Sequence, residues 1–515
     1  MTLRKIPFVA MAVCAATLAF APSAWALNAY GPKVDDRVAA AADASSNKSD
    51  YLNVVVNGTD PLRALQAVRA TDLITLGNSV SGQIQIQSLS TLAKDARVSF
   101  VSADLPSYPT GDITVAGGAG VPYAAIDGAP TAWAAGYTGD GIGIAVLDSG
   151  VSSSGSTLSG GRLSDVAMFR GQDMNDTYGH GTFVANVAAG SDPAGLFSGV
   201  APGAHIVSIK VATGGGARTG DIIRALNWIT GDSTKTGLNI RVIVIAANET
   251  TPTSYQGSLL DAAVEHAWRC GYVVVVASGN LGPGAQFFAP ANDPFPIVVG
   301  ALDDPATALT SFSSTGTTPD GYARPDLVAP GRHIVSILPG GSVLASQAPS
   351  ANLIAPEYGM GNGTSFAAPQ VAGAAAILLH KNRNLTPNQV KGLLVGTARP
   401  VDGSSAPALD IAAATAYAGT PPVANQAVPT GNCTSVLKDD PCNSLGAAYL
   451  NYFDWTKASV ANQSATTVAA AYNATATANA SVSWNASASW NASASWNASA
   501  SWNASVSWNS TTAWN

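Results

Sequence analysis

Five short runs in the middle of the chain, residues 142–147, 206–211, 242–247, 273–277 and 297–299, are apolar at nearly every position. A strand with one face in water alternates, so these runs predict strands covered on both faces. Stretches 182–189, 221–229 and 259–268 between them read as helices. Strands alternating with helices predict a parallel, doubly wound α/β sheet, and such sheets bind ligands at the carboxyl ends of their strands.

Upstream the pattern differs. Residues 51–56 alternate like a strand, 61–69 suit a short helix, 73–76 and 84–86 are strand-like, 89–94 are helical and 98–101 form a further strand. This predicts a small α+β unit over 51–103. Residues 27–50 are small and polar and predict a mobile stretch. Residues 104–120, rich in Pro and Gly, read as a linker, as do 420–432.

The two ends are of other kinds. Arg4 and Lys5 precede an apolar run over 6–21, and Ala24-Trp25-Ala26 offers small residues where a signal peptidase reads. The run is too short for a spanning helix, which predicts cleavage after Ala26 and export. From residue 464 the chain is low-complexity. Trp484, Trp490, Trp496, Trp502, Trp508 and Trp514 recur every six residues, each followed by Asn. Six is even, so an extended tail turns every indole to one face. That predicts a flexible tail, an aromatic surface for a glycan, cell wall or other polymer, or assembly of the repeats into a sheet or solenoid. The chain thus divides into 1–26 (signal), 27–115, 116–419, 420–463 (linker) and 464–515 (tail).

Composition narrows the function. Charged residues make up 11% of the 515, the net charge is −7, and no basic stripe is present, so a nucleic-acid partner is not expected. Of four cysteines, Cys14 falls in the signal segment. Cys433 and Cys442 close a short loop that suits a disulfide, and Cys270 reads as a buried free thiol.

Three motifs carry chemistry. GIGIAVLDSG puts Asp148 at the carboxyl end of a buried strand, YGHGTFVANVAAG puts His180 at a helix start, and GNGTSFAAPQVAG puts Ser365 at another, with Pro369 in its first turn. A serine hydroxyl needs a base to take its proton, and histidine titrates near neutrality. A carboxylate fixes the imidazole tautomer and stabilises the imidazolium. Fixed donors must then hold the oxyanion, and the Ser365 N–H and the side-chain amide of Asn280 suit that role. Taken singly, Asp148 is an ordinary turn residue and Ser365 an N-cap; together, each at the edge of a regular element, they predict a catalytic triad. His205, His266, His333 and His380 lie outside any such setting.

These segments, in the order Asp, His, Ser, resemble those of the subtilisin-like serine peptidases. So do GVAPGAHIVSIKV (199–211), VVVVASGN (273–280), SFSSTG (311–316) and RPDLVAPG (324–331), and the resemblance covers roughly 121–418. It implies the subtilisin α/β fold, endopeptidase activity on proteins or peptides, Asp148, His180 and Ser365 as the triad and Asn280 as oxyanion donor. By position and element order, 51–103 resembles the family's inhibitory propeptide, which implies self-cleavage between about 103 and 122. Departures are Phe183 and Asn186 in the His motif, neither a triad member. The substrate-binding segment aligns with Ala246, Ala247 and Asn248, so substrate preference does not carry over. No cofactor is required for the chemistry. Structural calcium is common in the family, yet no loop here is assignable to it, and Asp192 in GSDPAG is only a weak candidate. An alternative reading makes the Trp repeat the working part on an inactive peptidase-like scaffold.

Overall fold

The computed structural model describes residues 29–426 and 428, apart from 77–78, 114–119, 154–156, 169–171, 194, 232–236 and 305. The expected signal segment, the Cys433–Cys442 loop and the Trp repeat lie outside the described residues.

The stretch expected to be mobile carries a helix, α1 (Asp36–Ala44). The Asp35 carboxylate caps it by accepting from Arg37 N. Val34, Val38 and Ala42, four residues apart, are buried. The alanines that made 27–50 look featureless are the residues that let this helix lie close to the sheet beside it. That sheet comprises β1 (Tyr51–Gly58), β2 (Thr71–Leu76), β3 (Ser79–Gln85) and β4 (Val98–Ala103), with α2 (Pro61–Ala67) and α3 (Leu89–Lys94) between strands. The strand order is β2-β3-β1-β4, antiparallel throughout. Val54, Val56, Leu65, Ile84, Leu89 and Val101 form a core of their own.

The expected Pro/Gly linker is also structured. It contributes β5 (Pro106–Pro109) and β6 (Gly111–Asp112), whose partners belong to the larger unit.

That unit follows as β7 (Gly143–Asp148), β8 (Leu163–Val166), α4 (His180–Ala189), β9 (His205–Lys210), β10 (Gly216–Arg218), α5 (Thr219–Gly231), β11 (Ile240–Ile245) and β12 (Ala247–Glu249). It continues as α6 (Leu259–Arg269), β13 (Val273–Ala277), β14 (Ile297–Leu302), β15 (Leu327–Pro330), β16 (Tyr358–Gly363) and α7 (Thr364–Lys381). Seven strands form one parallel sheet in the order β15-β14-β13-β11-β7-β9-β8. This is the expected α/β fold. The uniformly apolar runs are its central strands: Val242–Ile245 and Val274–Ala277 are fully buried, and each such Val or Ile contributes about 1.5–3 kcal/mol by leaving water. Helices α4 and α7 pack together with α7 across β11, β13 and β14, while α5 and α6 pack as a second pair with α6 against β13. Helix α7 is buried on all sides, as its unbroken run of small and apolar residues requires. It begins at Thr364, so Pro369 sits past the first turn, not within it. No helix among the described residues is long and apolar enough to cross a membrane.

Cys270, at the end of α6, is disulfide-bonded, which corrects the expected free thiol. The other three cysteines lie outside the described residues. The chain beyond residue 420 returns to this helix end: Trp268 Nε1 donates to Asn388 Oδ1 at 2.7 Å, and Asn425 Nδ2 reaches the same oxygen at 3.3 Å. A pairing between elements so distant in sequence leaves no local signal.

Candidate active site

Asp148 closes β7, the strand near the middle of the sheet, and so stands at its carboxyl edge. His180 is the first residue of α4, preceded by Gly179 at φ 101°, a left-handed value that favours glycine. Both His180 and Asp148 are buried, and His180 Nδ1 lies 2.9 Å from each Asp148 oxygen. Gly181 is needed for this approach, because a Cβ there would collide with the Gly150 carbonyl.

The motif gave no role to Asp176, yet it organises the helix start. Its carboxylate accepts from Ser149 Oγ (2.8 Å), Gly179 N (2.7 Å), Thr182 N (2.8 Å) and Thr182 Oγ1 (2.6 Å). Burial raises its pKa, and these hydrogen bonds oppose the rise. An acid four residues before a helix-opening histidine was the signal available in the sequence.

Ser365 is the second residue of α7 and fully buried. Its Oγ donates to the Ala246 carbonyl at 2.8 Å and accepts from Thr110 N at 2.8 Å. His180 Nε2 is buried with no hydrogen-bond partner among the described residues. What lies beside it is Gly111: a Cβ on that glycine would be 2.9 Å from Nε2 and 2.6 Å from the Phe366 ring.

Residues 106–112 therefore fill the cleft. Strand β5 lies antiparallel between β10 and β12, with Ser107 opposite Ala217 on one side and Glu249 on the other. Tyr108 stands opposite Asn248 and Pro109 opposite Ala247, and Thr110 N approaches the Ala246 carbonyl at 3.3 Å. All three residues expected to bind substrate thus line this groove. Beyond Thr110 the chain pairs through Gly111 and Asp112 with Gly363 and Asn362 of β16. The Thr110 carbonyl oxygen accepts a hydrogen bond from Asn280 Nδ2. The other end of the Asn280 amide is fixed, since Oδ1 accepts from Thr364 N and Thr364 Oγ1, both at 3.0 Å. One peptide bond, Thr110–Gly111, lies with its carbonyl on the Asn280 amide, its Thr110 side beside the serine and its Gly111 side beside the histidine.

Asn248 donates to the Ala277 carbonyl at 3.1 Å, so its amide bridges the ends of two strands. Glu249, next along β12, is buried against the N-terminal unit. It accepts from Thr219 Oγ1 and from the Arg37 guanidinium, each at 2.5 Å. Burial pushes the Glu249 carboxyl up, and the Arg37 charge pulls it back. Asp192 is engaged in hydrogen bonds from Tyr358 and Leu196 N. No group of three or more His, Cys, Asp or Glu that could hold a metal ion occurs among the described residues. His205 and His380 serve local bonds, to Ser164 and Thr138 N.

The Subtilase family model matches residues 139–416. Subtilisin E of Bacillus subtilis (strain 168) is 31% identical over 381 residues, 70% of this chain and 88% of its own. Serine protease AprX of the same strain is 35% identical over 272 residues, 50% of this chain and 61% of its own. Among solved structures, fervidolysin from Fervidobacterium pennivorans, described as a keratinolytic enzyme related to subtilisin, aligns with a TM-score of 0.58 at 22% identity. It covers 73% of this chain and 62% of its own, and supports the fold alone. The chain thus spans less than two thirds of AprX and of fervidolysin.

Proposed function

Because the chain belongs to the subtilase family, as a subtilisin-like serine peptidase, we propose that it is a secreted serine endopeptidase that first cuts itself between Thr110 and Gly111. The observation that carries this reading is the Thr110 carbonyl on the Asn280 amide beside Ser365. Ser365 Oγ attacks the Thr110 carbonyl carbon while His180 Nε2 takes its proton, and Asp148 stabilises the imidazolium. The Asn280 amide holds the negative oxygen. His180 then gives the proton to the departing Gly111 nitrogen, and water releases Thr110 from the serine by the same steps in reverse order. Protein substrates occupy the same groove afterwards as an added strand.

In this reading residues 27–110 are the propeptide, five residues shorter than the expected boundary at 115, and the mature chain begins at Gly111. Residues after Ala26 enter the exported precursor. N-terminal sequencing of the secreted protein tests both ends, and a mature chain starting anywhere but Gly111 overturns the assignment. Gly111→Val is expected to slow processing by about 10²-fold, because the added atoms meet His180 and Phe366 and displace the bond from the serine. The isolated 27–110 segment, added in trans, should inhibit the mature enzyme competitively.

The tail reading rests on the Trp-Asn period. A row of indoles stacks on sugar rings or apolar polymer. Deleting 464–515 should leave small-peptide cleavage unchanged and weaken retention on insoluble cell-wall material. Equal retention would leave the tail as a plain extension.

A further inference from the structure

Two ion pairs join the N-terminal segment to the groove walls among the described residues: Asp104 with Arg218 of β10, and Arg37 with Glu249 of β12; only in the second does the peptidase side supply the acid. Glu249 belongs to β12, and its side chain is fully buried in this state. Its other hydrogen-bond donor, Thr219 Oγ1, is neutral and sits at the start of α5. The cation comes from outside the peptidase unit: Arg37, held in place by bidentate contacts to Asp35. Asp261, on α6, adds a second acid to the same neighbourhood. Its carboxyl group is buried, which pushes its pKa well up, and Glu249 is among the charges acting on it. A carboxylate whose opposite charge, among the described residues, comes from across a separable interface is a site with a removable occupant.

The register says which substrate residue inherits the site. Glu249 stands directly opposite Ser107 across the antiparallel pair. Directly opposed residues of such a pair project to the same face with Cβ atoms about 4.5–5.5 Å apart. Ser107 is the fourth residue before the Thr110–Gly111 bond. Its side chain is short and fully buried, and its hydroxyl has no hydrogen-bond partner among the described residues. Thr219 Oγ1 also donates to the carbonyl of Leu105 at 3.1 Å, which fixes the carboxylate at this upstream end of the groove.

We propose that Glu249 is a cation-recognising subsite of the mature enzyme: Arg37 occupies it in the precursor, and the guanidinium or ammonium group of an Arg or Lys four residues before the cut takes its place in substrates. This rests on the groove assignment above. Arginine suits the site because its planar fork pairs with a carboxylate through charge-assisted hydrogen bonds. An acidic side chain there would face Glu249 and be rejected.

The test compares peptides copying residues 105–112, unchanged or with Ser107→Arg, Ser107→Lys, Ser107→Met or Ser107→Glu, as substrates of the matured full-length enzyme. Hydrogen bonds to charged groups set the expected scale, so kcat/KM for the Ser107→Arg peptide should exceed that for Ser107→Met by about tenfold or more, with Ser107→Glu below both. The Arg advantage should shrink as salt is raised. In Glu249→Gln enzyme the Arg-to-Met ratio should fall to about one, on the premise that its ion pair is gone. Loss of the Arg37 anchor could keep that variant from maturing, and then the salt dependence and the Ser107→Glu penalty in the wild type decide. Equal cleavage of the Arg and Met peptides by the wild type overturns the subsite and leaves the groove assignment standing. Failure to cleave any of the peptides overturns the groove assignment itself, and the subsite with it.

Discussion

The Ser365→Ala protein is expected to accumulate as one uncut chain and to turn over peptides more slowly by a factor on the order of 10⁶ in kcat, the scale of the subtilisin triad. The hydroxyl oxygen is the only heavy atom removed, and it contacts the residue that precedes the bond proposed to break, through Thr110 N at 2.8 Å. Helix α7 should survive, because alanine suits a helix interior and the site is already buried among small residues. Intact mass of the variant expressed in a protease-free host reads the processing, and a peptide assay reads the turnover. A Ser365→Ala chain that still separates at Thr110–Gly111 would show that another enzyme makes the cut. The same experiment excludes the alternative reading of an inactive scaffold, since only an activated serine can lose activity on this scale.

The next largest effect falls on Asn280. Asn280→Ala is expected to lower kcat by about 10²–10³, the scale of the corresponding donor in subtilisin, with KM little changed. In the proposed mechanism Nδ2 stabilises charge that appears on the carbonyl oxygen only as the serine adds to the carbonyl carbon. The same side chain also supports Thr364 through Oδ1, so truncation alone mixes two roles. Asn280→Asp separates them: it keeps the acceptor for Thr364 and replaces the donor with a negative oxygen. Its kcat should be no better than that of Asn280→Ala. Recovery of activity in Asn280→Asp would assign the residue to holding Thr364 and remove it from the oxyanion site.

The parts of this architecture that could be read from the sequence are those where local pattern and tertiary role coincide. Val273–Ala277 is apolar at every position because the strand is covered on both faces, so periodicity alone identified it. The residues around His180 carry their own geometry, a left-handed Gly179 before the helix and a glycine after the histidine where a side chain would strike Gly150. What escaped was structure lent by neighbours. Residues 106–112 have the prolines and glycines of a loop, and they become strands because β10, β12 and β16 offer unpaired edges on which to lie. Glu249 carried no signal in the sequence, because its partner, Arg37, lies far upstream in a segment that itself looked unstructured. Helix α1 was obscured by alanines, which declare neither an apolar face nor a polar one. Cys270 was misjudged for a similar reason: nothing in its local sequence marks it as disulfide-bonded.

The groove walls β10 and β12 are three residues each, and they grip β5 through its main chain. Main-chain groups are the same in every residue, so these particular contacts do not discriminate between side chains. They are not blind to conformation. A helix has spent its amides on its own turns, and a strand inside a sheet has spent them on its neighbours, so neither has donors and acceptors left to offer. Before any side chain is read, an enzyme built this way sorts proteins by whether about six consecutive residues can be drawn out straight, since extended chain advances roughly 3.3 Å per residue. Folded domains are spared by their own hydrogen bonds, and frayed ends, long loops and unfolded chains are surrendered first.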